Sequence, residues 1–380
     1  MKRNLFLTLL FLLLLSCSEK KKYNFMLVKS DSISIPIDET ISQITGCLEY
    51  TLYDNKPTLL YSNRDIENNV AEILFFDLNE KKIYKKLSFS EDKGFYKSTN
   101  GFKFINKDSI IVSNVRTDTL YITDFYEKIK FKKHFKFQGE NYYISQVTSM
   151  NSHPIVKYKS NLYVTPMLFT ENQKEFINKP FLFEYNFKTD SLKPLNVYFP
   201  KEYIASDYFS FELSHYFDGK NVIFSPMNSH KIWIVNLETK KMRIVEAKSD
   251  YCREFLKFKD SPQKTMIDGM YNNAYYSQYI SIIYDKYRKV YYRLFYQGID
   301  IDKNDKNLSN EYDYPKVMSI ITLDENFNKI AEDIFPNHDF MSMYFITPDG
   351  LYMNSDNVLN QNYDEDKLTF TKLVLQNEEN

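Results

Sequence analysis

Ala71-Glu72-Ile73-Leu74-Phe75-Phe76-Asp77-Leu78-Asn79-Glu80-Lys81-Lys82 decides the architecture. Its first half is an apolar run of strand length, and its second half is a polar turn opened by an aspartate. The same punctuation returns at Ile234-Val235-Asn236-Leu237-Glu238-Thr239-Lys240-Lys241 and at Ile321-Thr322-Leu323-Asp324-Glu325-Asn326. A strand closed by the same kind of turn, again and again, is one piece of a repeating unit.

Working outward, the first unit places strands at Thr45 to Tyr53, Thr58 to Ser62, Ala71 to Leu78 and Ile83 to Phe89. The second runs from Phe102 to Phe137 in the same four places. The third is expected at Tyr142 to Thr148, Leu162 to Thr165, Phe181 to Phe187 and Leu192 to Tyr198. The fourth covers Phe209 to Glu246 and the fifth Tyr279 to Ile334. Four short strands per unit, at a period of roughly 40–60 residues, predict an all-β protein, a β-propeller. Composition agrees, because 32 tyrosines and 31 phenylalanines against 8 glycines suit pleated, half-buried strands.

The last unit holds only three strands, Tyr344 to Ile346, Leu351 to Met353 and Lys367 to Leu375. Two short strands near the start, Asn24 to Val28 and Ser32 to Ile37, have no unit of their own. One of them is expected to complete the sixth blade as its outermost strand, a place that suits the segment bearing Pro36, which cannot donate to a ladder. Six four-stranded blades closed by an N-terminal strand is the reading. Seven is the alternative, with residues 250–276 hiding a distorted strand pair or a short helix.

The N-terminus carries an address. Lys2 and Arg3 precede an apolar run from Leu5 to Leu15, and Ser16-Cys17 makes a small-residue exit. That is the build of a secretory signal peptide, too short to span a bilayer as a helix. Leu14-Leu15-Ser16-Cys17 resembles the lipobox of bacterial lipoproteins, which implies removal of residues 1–16 and acylation of Cys17. The other reading is an ordinary signal peptide with an incidental cysteine. The domain layout is then a signal peptide over 1–16, lipidated Cys17 and a tether over 17–23, and a single propeller over 24–380. Ser18, where an aspartate would favour inner-membrane retention, points to the outer membrane, and Ser18-Glu19 resembles surface-export signals. The lipid is the expected membrane contact.

The chain has 49 basic side chains, 47 without Lys2 and Arg3, against 50 acidic ones, so no nucleic-acid partner is expected. Cys47 and Cys252 would sit where disulfides form, and are either bridged or two unpaired thiols. Gly94, Gly101-Phe102-Lys103-Phe104 and Asn106-Lys107-Asp108-Ser109-Ile110-Ile111, behind that lipobox, resemble the propeller-type lipoproteins of unknown function in Gram-negative envelopes. The Gly-Pro-Gly-Glu turns of better-defined relatives are missing; Gln138-Gly139-Glu140 is a partial echo. The resemblance implies fold and location and no activity.

In a propeller, the loops between second and third strands share one face. Asn63 and Arg64, Asn114 and Arg116, and Asn228 and His230 fall in such loops and form the candidate ligand face, with two arginines able to fork onto a carboxylate or sulfate. Against this, Ser, Asn and Asp also make ordinary turns. Asp300, Asp302, Asn304 and Glu311 stand at positions 1, 3, 5 and 12 of an EF-hand-like calcium loop, although position 6 holds Asp305 instead of glycine and neither flank reads as a helix. An acidic hairpin is the plainer reading. The five histidines form no HExxH motif or close zinc-type pair, and no Gly-x-Ser-x-Gly, P-loop or Rossmann fingerprint occurs. The expected role is a ligand-binding or assembly platform for a glycan, peptide or protein. A propeller hydrolase or lyase acting on polysaccharide, and a structural envelope component with a stable partner, are the alternatives.

Overall fold

The structure is a computed structural model that describes residues 23–65, 68, 70–96, 99–114, 117–135, 142–143, 151–165, 167–168, 172–260, 265–305, 308, 317–335 and 339–378. Six four-stranded antiparallel sheets form the blades of a propeller. The chain opens with β1 (Phe25–Pro36), and blade 1 follows as β2 (Leu48–Tyr53), β3 (Lys56–Asp65), β4 (Val70–Asp77) and β5 (Lys82–Phe89). Blade 2 is β6 (Thr99–Asn106), β7 (Ser109–Asn114), β8 (Thr119–Thr123) and β9 (Ile129–His134). β10 (Tyr142–Tyr143) precedes blade 3, which is β11 (Val156–Tyr158), β12 (Asn161–Val164), β14 (Phe183–Asn186) and β15 (Ser191–Pro194); β13 (Met167–Leu168) lies in its middle loop and pairs with β10. Blade 4 is β16 (Leu213–Phe217), β17 (Asn221–Pro226), β18 (Lys231–Asn236) and β19 (Met242–Glu246). Blade 5 is β20 (Gln278–Asp285), β21 (Val290–Tyr296), β22 (Met318–Leu323) and β23 (Lys329–Phe335). Blade 6 is β24 (Tyr344–Thr347), β25 (Gly350–Asn354) and β26 (Lys367–Asn377), with β1 as its fourth strand.

The repeated turn has one physical cause in five blades. Asp77 Oδ1 accepts the N–H groups of Asn79 and Glu80 at 2.9 and 3.1 Å. Asp124, Asn186, Asn236 and Asp324 do the same for the residues that follow them. Each turn then needs one left-handed residue, supplied by Lys81, Glu127, Asp190, Lys240 and Phe327.

Packing explains why the third strands read as unbroken apolar runs. Both faces of each blade are covered by neighbours, and six apolar clusters fill the six seams. In blade 4, Val222 and Phe224 pack toward blade 3, while Ile223 between them packs toward blade 5. The seam between blades 6 and 1 joins Ile35, Leu368 and Phe370 to Leu59, Leu74 and Phe76, so the ring is shut.

Closure follows the expected plan with one correction. The two short N-terminal strands are one, β1, pairing with β26 from Phe25↔Asn377 to Pro36↔Lys367, with a bulge between Lys29 and Ser32. The polar Ser30-Asp31 pair, which reads as a break, is accommodated by that bulge. Pro36 ends the strand on the outer edge. The third unit is corrected too: its inner strand is β11, not Tyr142 to Thr148. Tyr142 and Tyr143 pair with Met167 and Leu168 instead, and residues 144–148 lie outside the described residues. A three-residue strand is too short to show a period. Residues 250–276 hold a helix, Met266–Tyr275, started by a Thr265/Asp268 capping box, so the count is six blades and not seven. Cys47 and Cys252 are not joined by a disulfide.

Candidate functional site: a plugged axial cup

The first strands of the blades line the axis, and a cavity of about 340 Å³ lies among them. Residues of β2, β6, β16, β20 and β24 form its wall. Its mouth lies among the turns that join first to second strands, around Gly219 and Lys286. Glu49 and Lys103 face each other inside, Lys103 Nζ 2.5 Å from Glu49 Oε1, while Glu49 Oε2 accepts the Phe104 N–H at 3.1 Å. Burial works against the Lys103 charge, but the adjacent Glu49 carboxylate outweighs it and holds the ammonium above its ordinary range. Tyr50, Tyr216 and Tyr284 are pushed up by burial and stay neutral phenols. Tyr287 stands at the rim with the Lys286 ammonium 5.0 Å over its ring. Asp218 is already spent on its own turn and on the Tyr291 hydroxyl.

The other end of the channel is crossed by Asn151-Ser152-His153-Pro154. Asn151 donates its N–H to Gly46 at 2.7 Å, accepts the Leu48 N–H at 2.8 Å and donates Nδ2–H to the Tyr344 carbonyl at 2.7 Å. The Tyr344 hydroxyl returns to the Asn151 carbonyl at 2.7 Å and meets the Ser281 hydroxyl. On the far side, the His215 N–H donates to Ser152 and its Nε2 meets the Pro154 carbonyl at 3.0 Å. This segment ties blades 1, 4 and 6 together across the axis. It turns an open channel into a blind cup.

A family model described as a domain of unknown function (DUF4221) matches residues 22–334. The chain belongs to this family. A DUF4221 member from Bacteroides vulgatus has a similar structure, with a TM-score of 0.79 at 20% identity, covering 94% of this chain and 100% of that one. A Bacteroides fragilis protein assigned as exported superimposes with a TM-score of 0.54 at 10% identity, over 94% and 98% of the two chains. At such identities the likeness is one of fold. No curated protein matches the chain.

The candidate ligand face lies at the opposite end from the cup mouth, and its asparagines hold loops. Asn63 is buried, accepts the Ser42 N–H at 3.1 Å and donates to Thr40 and Glu72. Asn114 is buried, accepts from Thr117 and donates to the Tyr96 carbonyl; Asn228 donates to the Leu256 carbonyl. All three pin a neighbouring loop or crossover, the turn-making role that competed with the ligand reading. Arg64 is exposed at the end of β3, and Arg116 lies outside the described residues. Asn228 and His230 line one cavity together.

In the acidic loop, Asp300 Oδ1 is 2.5 Å from Arg253 Nη2, and Asp302 Oδ1 accepts the Asn304 N–H at 2.8 Å. Glu311 lies outside the described residues, and among those residues no group of three His, Cys, Asp or Glu side chains is placed to hold a metal ion. The residues that sequence reasoning missed are Glu49 and Lys103. Each sits on a blade's first strand, the strand that faces the axis, and that position was the available signal.

Proposed function

We propose that this chain is an extracytoplasmic, lipid-anchored propeller that captures the end of a glycan in its axial cup. The observation that carries the reading is the blind cup itself: neutral tyrosines surround one Glu49–Lys103 pair above a built floor. Tyrosine rings offer flat apolar faces to the C–H faces of a sugar, and a charged pair offers both a donor and an acceptor to its hydroxyls. A cavity of about 340 Å³ is at the small end for ligand sites, which suits a terminal unit better than an internal stretch of polymer. The anchor rests on the apolar run ending at Cys17, and the location is supported by the exported Bacteroides fragilis protein of similar fold.

Binding is preferred to hydrolysis because an enzyme needs perturbed acids at its site. Asp118, Glu212, Asp333 and Asp356 are raised by burial, and none of them lines the cup. The test is thermal unfolding of residues 18–380 across an oligosaccharide panel, with Lys103→Met and Tyr287→Ala alongside. One glycan class should raise the midpoint by mass action, and both variants should lose the rise. A panel with no rise, or a rise that both variants keep, refutes the cup as the site.

A further inference from the structure

A second cavity, of about 320 Å³, opens on the opposite face beside blade 4. Its floor is aromatic: Tyr203, Trp233 and Phe255 line it and are almost wholly buried. One wall is His230, and its tautomer can be worked out. The Tyr279 oxygen accepts the Ser249 N–H at 2.9 Å and lies 2.9 Å from His230 Nδ1. Burial pushes the Tyr279 phenol up to about 12. Burial, then the Lys248 and Arg293 charges, bring His230 down to about 4. Near neutral pH the phenol keeps its proton and, with the Ser249 N–H already on its oxygen, can donate it to Nδ1 of a neutral ring. In that tautomer the imidazole proton sits on Nε2, which makes that atom a donor.

The backbone of this wall is held as firmly as the ring. Arg293 is fully buried beneath it, with Nε 2.8 Å from Ser225 Oγ. Its Nη1 donates to the carbonyls of Ala247 and His230 at 2.8 and 3.1 Å, and its Nη2 to those of Ser229 and Pro226 at 2.7 and 3.4 Å. The guanidinium carbon lies 3.3 Å from the centre of the Tyr279 ring. Charge decides the ligand. The lining carries Lys231 against Glu202 and Glu246, and Arg293, which does not line the cavity, adds a second positive charge beneath it through the Ser229 and His230 carbonyls, so neither an anion nor a cation is strongly favoured.

We propose that this cavity is a second binding site, for a neutral aromatic ring bearing a carbonyl acceptor that receives the His230 Nε2 proton. The ring stacks in the aromatic floor, and the rim carboxylates accept any N–H or O–H it carries. This site is separate from the cup and does not depend on the glycan reading.

The chain supplies its own reporter, since Trp233 is the single tryptophan. Fluorescence excited at the tryptophan edge is titrated with benzamide, benzoate, benzyltrimethylammonium and cyclohexanecarboxamide. Benzamide should give a saturable change at the lowest concentration. Loss of one neutral hydrogen bond in His230→Phe should weaken it about tenfold. Tyr208→Leu, at the edge of the cavity, should also weaken it while the far-ultraviolet spectrum and midpoint stay intact, which covers the case where the histidine variant misfolds. No saturable change with benzamide, tighter binding of either charged probe or of the saturated amide, or unchanged affinity in Tyr208→Leu would overturn the proposal.

Discussion

Arg293→Met is the sharpest test of how blade 4 and blade 5 hold together. Two opposed effects must be weighed. The guanidinium is fully buried, and its hydrogen-bond partners are one hydroxyl and four carbonyls, so the chain meets the cost of an internal cation without a bonded carboxylate. That cost shows as a pKa brought down by burial to about 10. Methionine removes it, which favours the variant. Against this, the Ser229 and Ala247 carbonyls lose their guanidinium donors, while His230 keeps the Ala247 N–H at 2.8 Å. Two stranded carbonyls cost about 1–3 kcal/mol each, and the lost stacking on Tyr279 adds about 1–2 kcal/mol. After the desolvation relief, a net loss of roughly 3–5 kcal/mol remains, the range expected when one member of a buried charged network is removed. Urea unfolding followed by Trp233 fluorescence reads it, with Arg293→Lys in parallel. The lysine keeps the charge but not the fork, so it should fall between wild type and methionine. A loss below about 1 kcal/mol, or a gain, would mean that the cation is tolerated and not needed, and would refute the reasoning.

Three further outcomes follow from the ring, the plug and the cup. Ile35→Ala, in the fully buried seam that closes the ring, should cost about 2–4 kcal/mol in urea unfolding, and a surface-like loss under about 0.5 kcal/mol would mean that β1 is dispensable. His153 and His215 meet edge to face at 5.7 Å in the plug, and burial holds both below the ordinary 6.5, with each other's charge as a further penalty for His215. The native rings stay neutral while the unfolded chain takes up protons, so stability present above pH 6.5 is lost as pH falls, by roughly 2 kcal/mol per ring at pH 5. Unfolding of His153→Asn/His215→Gln should show a flatter acid limb, and an unchanged one would remove the plug histidines from the account. Lys103→Met should leave Glu49 without its cation and lower the midpoint of urea unfolding; an unchanged midpoint would mean the pair is not formed in solution.

The fold was largely legible because its punctuation is chemical. An aspartate or asparagine that caps its own turn must precede a left-handed residue, and that requirement leaves a mark each time, at Asp77, Asn236 and Asp324 alike. Ring closure could be inferred from an incomplete last blade and a proline fit only for an edge. What was not legible was anything set by distance across the axis. Glu49 and Lys103 are 54 residues apart and meet only because the first strands of neighbouring blades lie side by side at the axis. Arg293 on β21 reads as one polar residue in an aromatic strand, and its partners come from blade 4. Asn63 lies within β3, Asn114 ends β7 and Asn228 follows β17, and their side chains turn inward to hold neighbouring segments. Residue type alone cannot separate an asparagine that binds a ligand from one that binds its own backbone.

The plug links the two cavities in one design argument. Propeller blades are held by apolar seams that run radially, and nothing in those seams prevents the channel from being open at both ends. Asn151-Ser152-His153-Pro154 closes one end with hydrogen bonds to blades 1, 4 and 6, and leaves His153 Nε2 and His215 Nδ1 buried without hydrogen-bond partners among the described residues. Such orphaned atoms cost stability, so a crossover that had only to connect blade 2 to blade 3 would not be expected to keep them. The cost is intelligible if a floor is required, because a cup with a floor can exclude water from a bound ligand and an open pipe cannot. The cup and the cavity beside Trp233 share no lining residue, so the two can be occupied independently. Titrating the cup with its glycan should therefore leave Trp233 fluorescence unchanged, and saturating the Trp233 cavity with benzamide should leave the glycan affinity unchanged. Coupling between them would mean that the plug moves, and that the axial channel and the blade 4 cavity are one site in two states.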